Sequence, residues 1–240
     1  MAEFPLALVT GAAHRLGRVF ALSLARRGFA ILLHYHKSTQ AAYETAEEIR
    51  ALGRPVFLQS ADLTQTAGID ALLERADAIP HPIKALVNSA ALMERAEVRS
   101  LTADAWDATL DLNLRAPFLL AQAAARRMIE GGLIVNVTDV AAHKAWPSFP
   151  AYTVSKAALE SLTRVLARAL GPSIRVNAIA PGLALPSEVV TPEQWEALTA
   201  RLPLQRAARL DEIAAALEFL LKNEYVTGQT LTVDGGYALV

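Results

Sequence analysis

The chain has 240 residues, 53% of them hydrophobic, and a formal net charge of −1 at pH 7. That length and apolar content suffice for one α/β domain with a full core, and the near-neutral balance gives no electrostatic reason to expect nucleic acid or an anionic membrane as partner. There are no cysteines, so a disulfide framework and a thiolate metal site are both excluded.

The N-terminal "MAEFPLALVTG" is apolar for only a few residues and lacks a basic lead, so it does not read as a signal peptide. No uncharged apolar run approaches the ~18 residues of a membrane span, and a cytoplasmic protein is expected. Short apolar runs then alternate with longer amphipathic ones. "PLALVT", "AILLHY", "PVFLQS", "IKALVN", "GLIVNVT", "SIRVNAIA" and "QTLTVD" read as buried strands. "RLGRVFALSLARRG", "TQAAYETAEEIRALG", "TAGIDALLERADAI", "TADAWDATLDLNLRAPFLLAQAAARRMIEGG" and "AYTVSKAALESLTRVLARALG" have helical periodicity, and several end in glycine. The alternation predicts a single-domain, doubly wound parallel sheet of about seven strands with helices on both faces, over residues 1–240. One stretch breaks the rhythm. Residues 183–210 hold several prolines and a short helical piece around Trp195, which suits a substrate lid, or else a surface excursion anchored by that tryptophan.

"LVTGAAHRLGR" follows the first strand and opens the first helix. Gly11 and Gly17 permit a tight turn and close approach of backbone to a pyrophosphate at the helix N-terminus. Arg15 stands where many dinucleotide sites keep a third glycine, and can reach phosphate or substrate. The second strand ends in His36, Lys37 and Ser38 with no acid. A cation, an imidazole and a hydroxyl suit the 2′-phosphate of NADPH, which an acid would repel. The histidines, His14, His34, His36, His81 and His143, show no metal-ligand spacing on a common helix, and no metal is expected.

Further on, Tyr152 and Lys156 lie four apart at the head of a helix-patterned segment, on one face. A lysine ammonium there favours phenolate and draws a tyrosine pKa down toward neutrality, as reversible proton transfer coupled to hydride transfer requires. Thirteen residues before the tyrosine stands Asp139. An ionised carboxylate accepts hydrogen bonds only, so it faces a substrate carbonyl unfavourably. Three explanations stay open: a substrate with a ring C=N and adjoining N–H donors, an aspartate kept protonated, or a chain that binds nucleotide without turnover.

These segments, with Asp62 in "SADLT", "LVNSA", Asn113 in "LDLNLRAPF", "RVNAIAPG" and "VTGQTLTVDGGY", resemble the short-chain dehydrogenase/reductases over the whole chain. Within that family "TGAAHRLGR", "LHYHKS", "NVTDV" and "APGLALP" are most similar to the pteridine reductases, which share the aspartate in place of the usual catalytic serine. The resemblance implies Tyr152 as proton donor and Lys156 as partner of the nicotinamide ribose. Asn113 would hold the water that links Lys156 to solvent. Asp62 would contact adenine and Asn88 with Ala90 the adenosine ribose, with Leu16, Leu63 and Ser89 beside them. Pro181 and Gly182 would border the nicotinamide. Arg15 would touch both phosphates and pterin. Met93 stands where those reductases place the phenylalanine that stacks on the pterin; with Phe149 and Leu183 it would line the substrate site. The expected activity is NADPH-dependent reduction of a pteridine ring C=N, a small-molecule reaction; the alternatives are a broad carbonyl reductase, for instance on 3-oxoacyl thioesters, and a silent NADP(H)-binding protein. The C-terminal "VDGGYALV" is similar to the family's subunit-contact segment and implies a homotetramer, although the tail could instead only cover the sheet edge.

Overall fold

The computed structural model describes residues 4–186 and 190–240. Its centre is a seven-stranded sheet of β1 (Leu6–Val9), β2 (Ala30–Tyr35), β3 (Val56–Ser60), β4 (Ile83–Asn88), β5 (Gly132–Val137), β6 (Ile174–Pro181) and β7 (Thr230–Val233). Every pairing is parallel and the order is β3-β2-β1-β4-β5-β6-β7. The strand runs are short and apolar because both faces are covered, as a parallel sheet requires.

One face carries α1 (Arg15–Arg26), α2 (Thr39–Ala51) and α8 (Leu210–Lys222), whose Phe20, Leu24, Ile49, Ile213 and Leu217 share a core with Val9, Leu33 and Val135. The other carries α3 (Thr66–Asp77), α5 (Ala116–Arg127) and α6 (Pro150–Leu170), where Leu72, Leu120 and Leu166 meet Leu8, Leu86 and Ile134. Two shorter helices complete the set, α4 (Ala103–Leu110) and α7 (Pro192–Ala200). Gly28 and Gly53 close α1 and α2 at positive φ, as the glycine-terminated patterns predict.

Two details depart from the sequence reading. The long amphipathic stretch after β4 is α4 and α5 joined by a π-turn at Asp111–Arg115. Pro117 has no N–H to offer the carbonyl of Asn113 four residues back, so the regular ladder cannot run through this point. Secondly, α8 is a full amphipathic helix after the 183–210 excursion that the periodicity reading left unassigned.

The order of strands reverses between β1 and β4, which opens a crevice beyond their C-terminal ends. The turns after β1, β2, β3, β4, β5 and β6 carry Gly11, His36, Asp62, Ser89, Asp139 and Gly182 respectively. Nearly all the expected site residues therefore sit on one edge of the sheet.

Candidate active site

At the crevice, Gly11 has φ 63° and a Cβ there would lie 2.9 Å from the Ala90 Cα. A Cβ on Gly17 would lie 2.1 Å from the Gly11 carbonyl oxygen. These two glycines let the first turn, the head of α1 and the end of β4 pack backbone to backbone. Thr10 adds to this, since its Oγ1 accepts from the N–H groups of Ser89 and Ala90 at 2.9 and 3.0 Å. The N-cap of α1 is His14, which makes no side-chain cap, and its first turn holds no acid, so its leading N–H groups suit an anion.

His34, buried on β2, ties the turn to the third strand. Its Nδ1 accepts from the Gly11 N–H at 3.1 Å, which leaves Nε2 as the protonated nitrogen facing the Ala61 carbonyl at 3.0 Å. Burial lowers its pKa to about 4, so it is neutral at pH 7. Beyond it, His36 and Lys37 are exposed, and their charges help hold the Asp62 carboxyl below the usual range, after the larger effect of the Thr64 hydroxyl. The ends of β2 and β3 thus come together. Ser38 is the N-cap of α2, yet its hydroxyl makes no cap bond and is available to a ligand. Asn88 donates to Asn136 Oδ1 at 2.9 Å, while its own buried Oδ1 has no partner among the described residues.

The chemistry-bearing groups converge at the end of β5. The Tyr152 hydroxyl donates to Asp139 Oδ2 at 2.8 Å, and the Ala141 N–H donates to Asp139 Oδ1 at 2.8 Å. Lys156 Nζ donates to the Val137 carbonyl at 2.7 Å and lies 5.6 Å from the centre of the Tyr152 ring. Burial pushes the Asp139 carboxyl above the usual carboxylate range, against the pull of Ala141, Tyr152 and Lys156. Burial also brings Lys156 down to about 8, with the charge of Asp139 opposing. The phenol of Tyr152 is pushed well above its ordinary value, by burial and then by the charge and hydrogen bond of Asp139. The expected lowering of the tyrosine by Lys156 is therefore not met: burial and then the neighbouring carboxylate push the phenol the other way. Such a tyrosine holds its proton firmly until a strongly basic atom forms beside it.

Residues 11–238 match the family model described as enoyl-(acyl carrier protein) reductase. Relatives that are more than 30% identical span nearly the whole chain. The chain belongs to the short-chain dehydrogenase/reductase family. Among its relatives in that family are the 2-dehydro-3-deoxy-D-gluconate 5-dehydrogenase of Escherichia coli K12, 35% identical over 98% of this chain and 96% of the relative, and the 3-oxoacyl-[acyl-carrier-protein] reductase of a Synechocystis species, 31% identical over 98% and 97%. Among solved structures, FolM alternative dihydrofolate reductase 1 from Brucella canis, complexed with NADP, superposes with a TM-score of 0.93 at 38% identity, covering 98% of this chain and 94% of that one. The protein is an oxidoreductase of this family.

Several expected site residues occupy other roles in this reductase. Both N–H donors of Asn113 are used, on the Leu92 carbonyl at 2.9 Å and Ser155 Oγ at 3.0 Å, and its Oδ1 accepts from the Leu92 N–H at 2.8 Å. The side chain clamps the loop that leads to Met93 and has no N–H left to offer a water. Arg15, at φ 52°, donates to the carbonyls of Pro186 and Leu185 at 3.0 and 3.1 Å. It ties the glycine turn to the start of the 183–210 excursion, whose residues 187–189 lie outside the described residues. Leu63 is a core side chain, so only its backbone can meet a cofactor, and Leu16 is partly buried against the core. Met93 is 45% exposed at the mouth of the site. Phe149 caps α6 and packs near Trp146, which in turn meets Tyr237 at 6.1 Å between ring centres. Pro181 ends β6; Gly182 follows, where a Cβ would lie 2.7 Å from Asp234. The carbonyl of Leu183 accepts from the Ala208 N–H at 2.8 Å, joining the two ends of the excursion. Trp195 is half-buried on α7.

The sequence reading missed Thr10, His34 and Glu160. The last had a visible signal, since an acid four residues after Lys156 falls on the apolar face of α6.

Proposed function

We propose that this reductase uses NADPH to reduce a ring C=N of a pteridine, of dihydropterin or dihydrofolate type. The residues of the crevice fit the cofactor: the Gly11–Gly17 turn for the pyrophosphate, His36, Lys37 and Ser38 for the 2′-phosphate, and Asp62 with the Leu63 backbone for adenine. The Asn88–Ala90 segment, with its partnerless buried Oδ1, suits the adenosine ribose, Lys156 the nicotinamide ribose, and Pro181 and Gly182 the nicotinamide. When bound, NADPH supplies the hydride.

The observation that carries the proposal is the 2.8 Å hydrogen bond from Tyr152 to Asp139. Adding hydride to the carbon of a C=N leaves a strongly basic nitrogen, which takes the proton of even a raised phenol. Asp139 accepts ring N–H donors on the substrate and holds the phenol in place. Hydrogen-bonded to the phenol, it is placed to pass a proton back to Tyr152 between turnovers. Lys156, held by the Val137 carbonyl, faces the phenolate that is formed. The ring lies against Met93, Phe149 and the 183–210 excursion, which serves as lid.

A second reading, a carbonyl reductase, is favoured by the same raised Asp139, because a protonated carboxyl donates to a carbonyl oxygen as a serine would. NADPH oxidation with dihydrobiopterin, dihydrofolate and an acetoacetyl thioester, in the native protein and in Asp139→Ser, separates the two. The pteridine reading expects turnover on a pterin that falls at least ~100-fold in the variant. Activity confined to the thioester and kept by serine overturns it.

We also infer a cytoplasmic homotetramer. No helix among the described residues is long and apolar enough to cross a membrane. Exposed Phe118 on α5, Val165 on α6 and Leu239 near the C-terminus offer apolar surface for subunit contacts. Light scattering during gel filtration tests the mass.

A further inference from the structure

The face of α6 that lies against β5 reads Tyr152, Lys156, Glu160, one residue per turn, and all three are buried. The first two belong to the proposed chemistry. Glu160 does not, although it is only 5% exposed. A buried carboxylate is costly to desolvate, and an apolar side chain of similar volume is often neutral or better for stability. Packing alone gives no reason for an acid here.

Its contacts supply one. Glu160 Oε1 lies 3.2 Å from His143 Nε2 and 3.4 Å from Thr138 Oγ1. The single hydroxyl hydrogen of Thr138 is shared between Glu160 and the Ile179 carbonyl, at 3.2 Å from the latter. Thr138 immediately precedes Asp139, and His143 follows the short 3-10 turn Val140–Ala142 that Asp139 caps. One oxygen of Glu160 therefore brackets the loop that carries Asp139, fixing it to the same helix that carries Tyr152 and Lys156. The titratable and charged groups facing Glu160 are His143 from the loop and Arg164 one turn further along α6.

We propose that Glu160 is a positioning residue: through Thr138 and His143 it sets the direction of the Asp139 carboxylate toward Tyr152 and the substrate. The part concerning substrate rests on the reading of Asp139 given above. Glutamine at 160 can accept from both partners without charge, whereas leucine fills the space and accepts from neither. The comparison of Glu160→Gln with Glu160→Leu thus holds charge constant and varies only the bonds.

The test measures steady-state kinetics, NADPH affinity by fluorescence and thermal midpoint for both variants. Glu160→Gln should keep kcat within about 3-fold. Glu160→Leu should lose kcat on the order of 10- to 100-fold, the scale expected for a misplaced group, while NADPH affinity and thermal midpoint stay near native. His143→Ala should fall between them. A leucine variant that folds and keeps native kcat overturns the proposal, as does a kcat loss that tracks thermal midpoint across the three variants.

A second readout needs no substrate. The carboxyl carbon resonance of Asp139, assigned with Asp139→Asn, is followed against pH in the ligand-free protein. Its midpoint should differ between the glutamine and leucine variants by at least about half a unit; coincident curves overturn the proposal. A native protein without pteridine turnover would sink the pteridine reading alone, and the resonance would still decide the role of Glu160.

Discussion

The two ends of the crevice are built on opposite terms. At the proposed adenosine end, His36 and Lys37 stand in solvent, and the Ser38 hydroxyl makes no cap bond. At the chemical end, Asp139, Tyr152 and Lys156 are withdrawn from water and each has a hydrogen-bond partner fixed by the fold. Attracting a phosphate needs charge within reach, and long solvated side chains adapt to it at little cost. Moving a proton needs groups whose pKa values differ from those in water, which only burial and fixed neighbours produce. The first region is tuned by composition, the second by geometry.

Substitutions should respect that division. The largest effect is expected from Tyr152→Phe, which removes the donated proton and should lower kcat about 1,000-fold. Its NADPH dissociation constant should stay within about 3-fold, as measured by fluorescence titration. A parallel loss of cofactor affinity would break the contrast. Next comes His34, which ties the glycine turn to the end of β3 through Gly11 and Ala61. Its folded pKa of about 4 lies below the unfolded value of 6.5. As pH falls through 6.5 the unfolded imidazole takes a proton that the folded one refuses. Roughly 3 kcal/mol of stability is therefore lost between pH 6.5 and 4. Urea unfolding at pH 7.5 and pH 4.5 should show this loss in the native protein, diminished in His34→Gln by about that amount. Lys37→Glu should raise the NADPH dissociation constant about 10- to 100-fold with kcat at saturation unchanged. The smallest effect sharpens the picture at the exposed mouth: Met93→Phe should lower the KM for a pteridine about 3- to 10-fold by stacking on the ring. No change there would mean that the ring lies elsewhere, against Phe149 and Trp146.

The seven strands were legible because β1, β2 and β4 to β6 bury both faces, and continuous apolar runs bounded by turns have few other uses. The Gly11 turn and the Tyr152–Lys156 pair were legible because local spacing carries them. What spacing cannot carry is competition for a side chain. Asn113 has one amide and three neighbours in reach, and the loop at Leu92 and the Ser155 hydroxyl take both its donors. Tyr152 has a lysine and an aspartate beside it, and spacing alone shows neither its depth of burial nor its hydrogen bond to the aspartate, which together raise it. The tautomer of His34 depends on Gly11 and Ala61, 23 and 27 residues away, so no local pattern announces it. The helix α8 is a different case: its amphipathic periodicity is present in the sequence, directly after the proline-rich excursion.

All of the site lies at the C-terminal edge of the sheet, and the opposite edge is free of it. There the strands begin beside prolines: the carbonyls of Pro5, Pro55 and Pro82 accept from Ala30, Ile31 and Leu6. For a protein engineer this is a division of labour. Rigidity can be added at the proline edge and specificity altered at the other, in separate libraries, with the length of each strand insulating one search from the next.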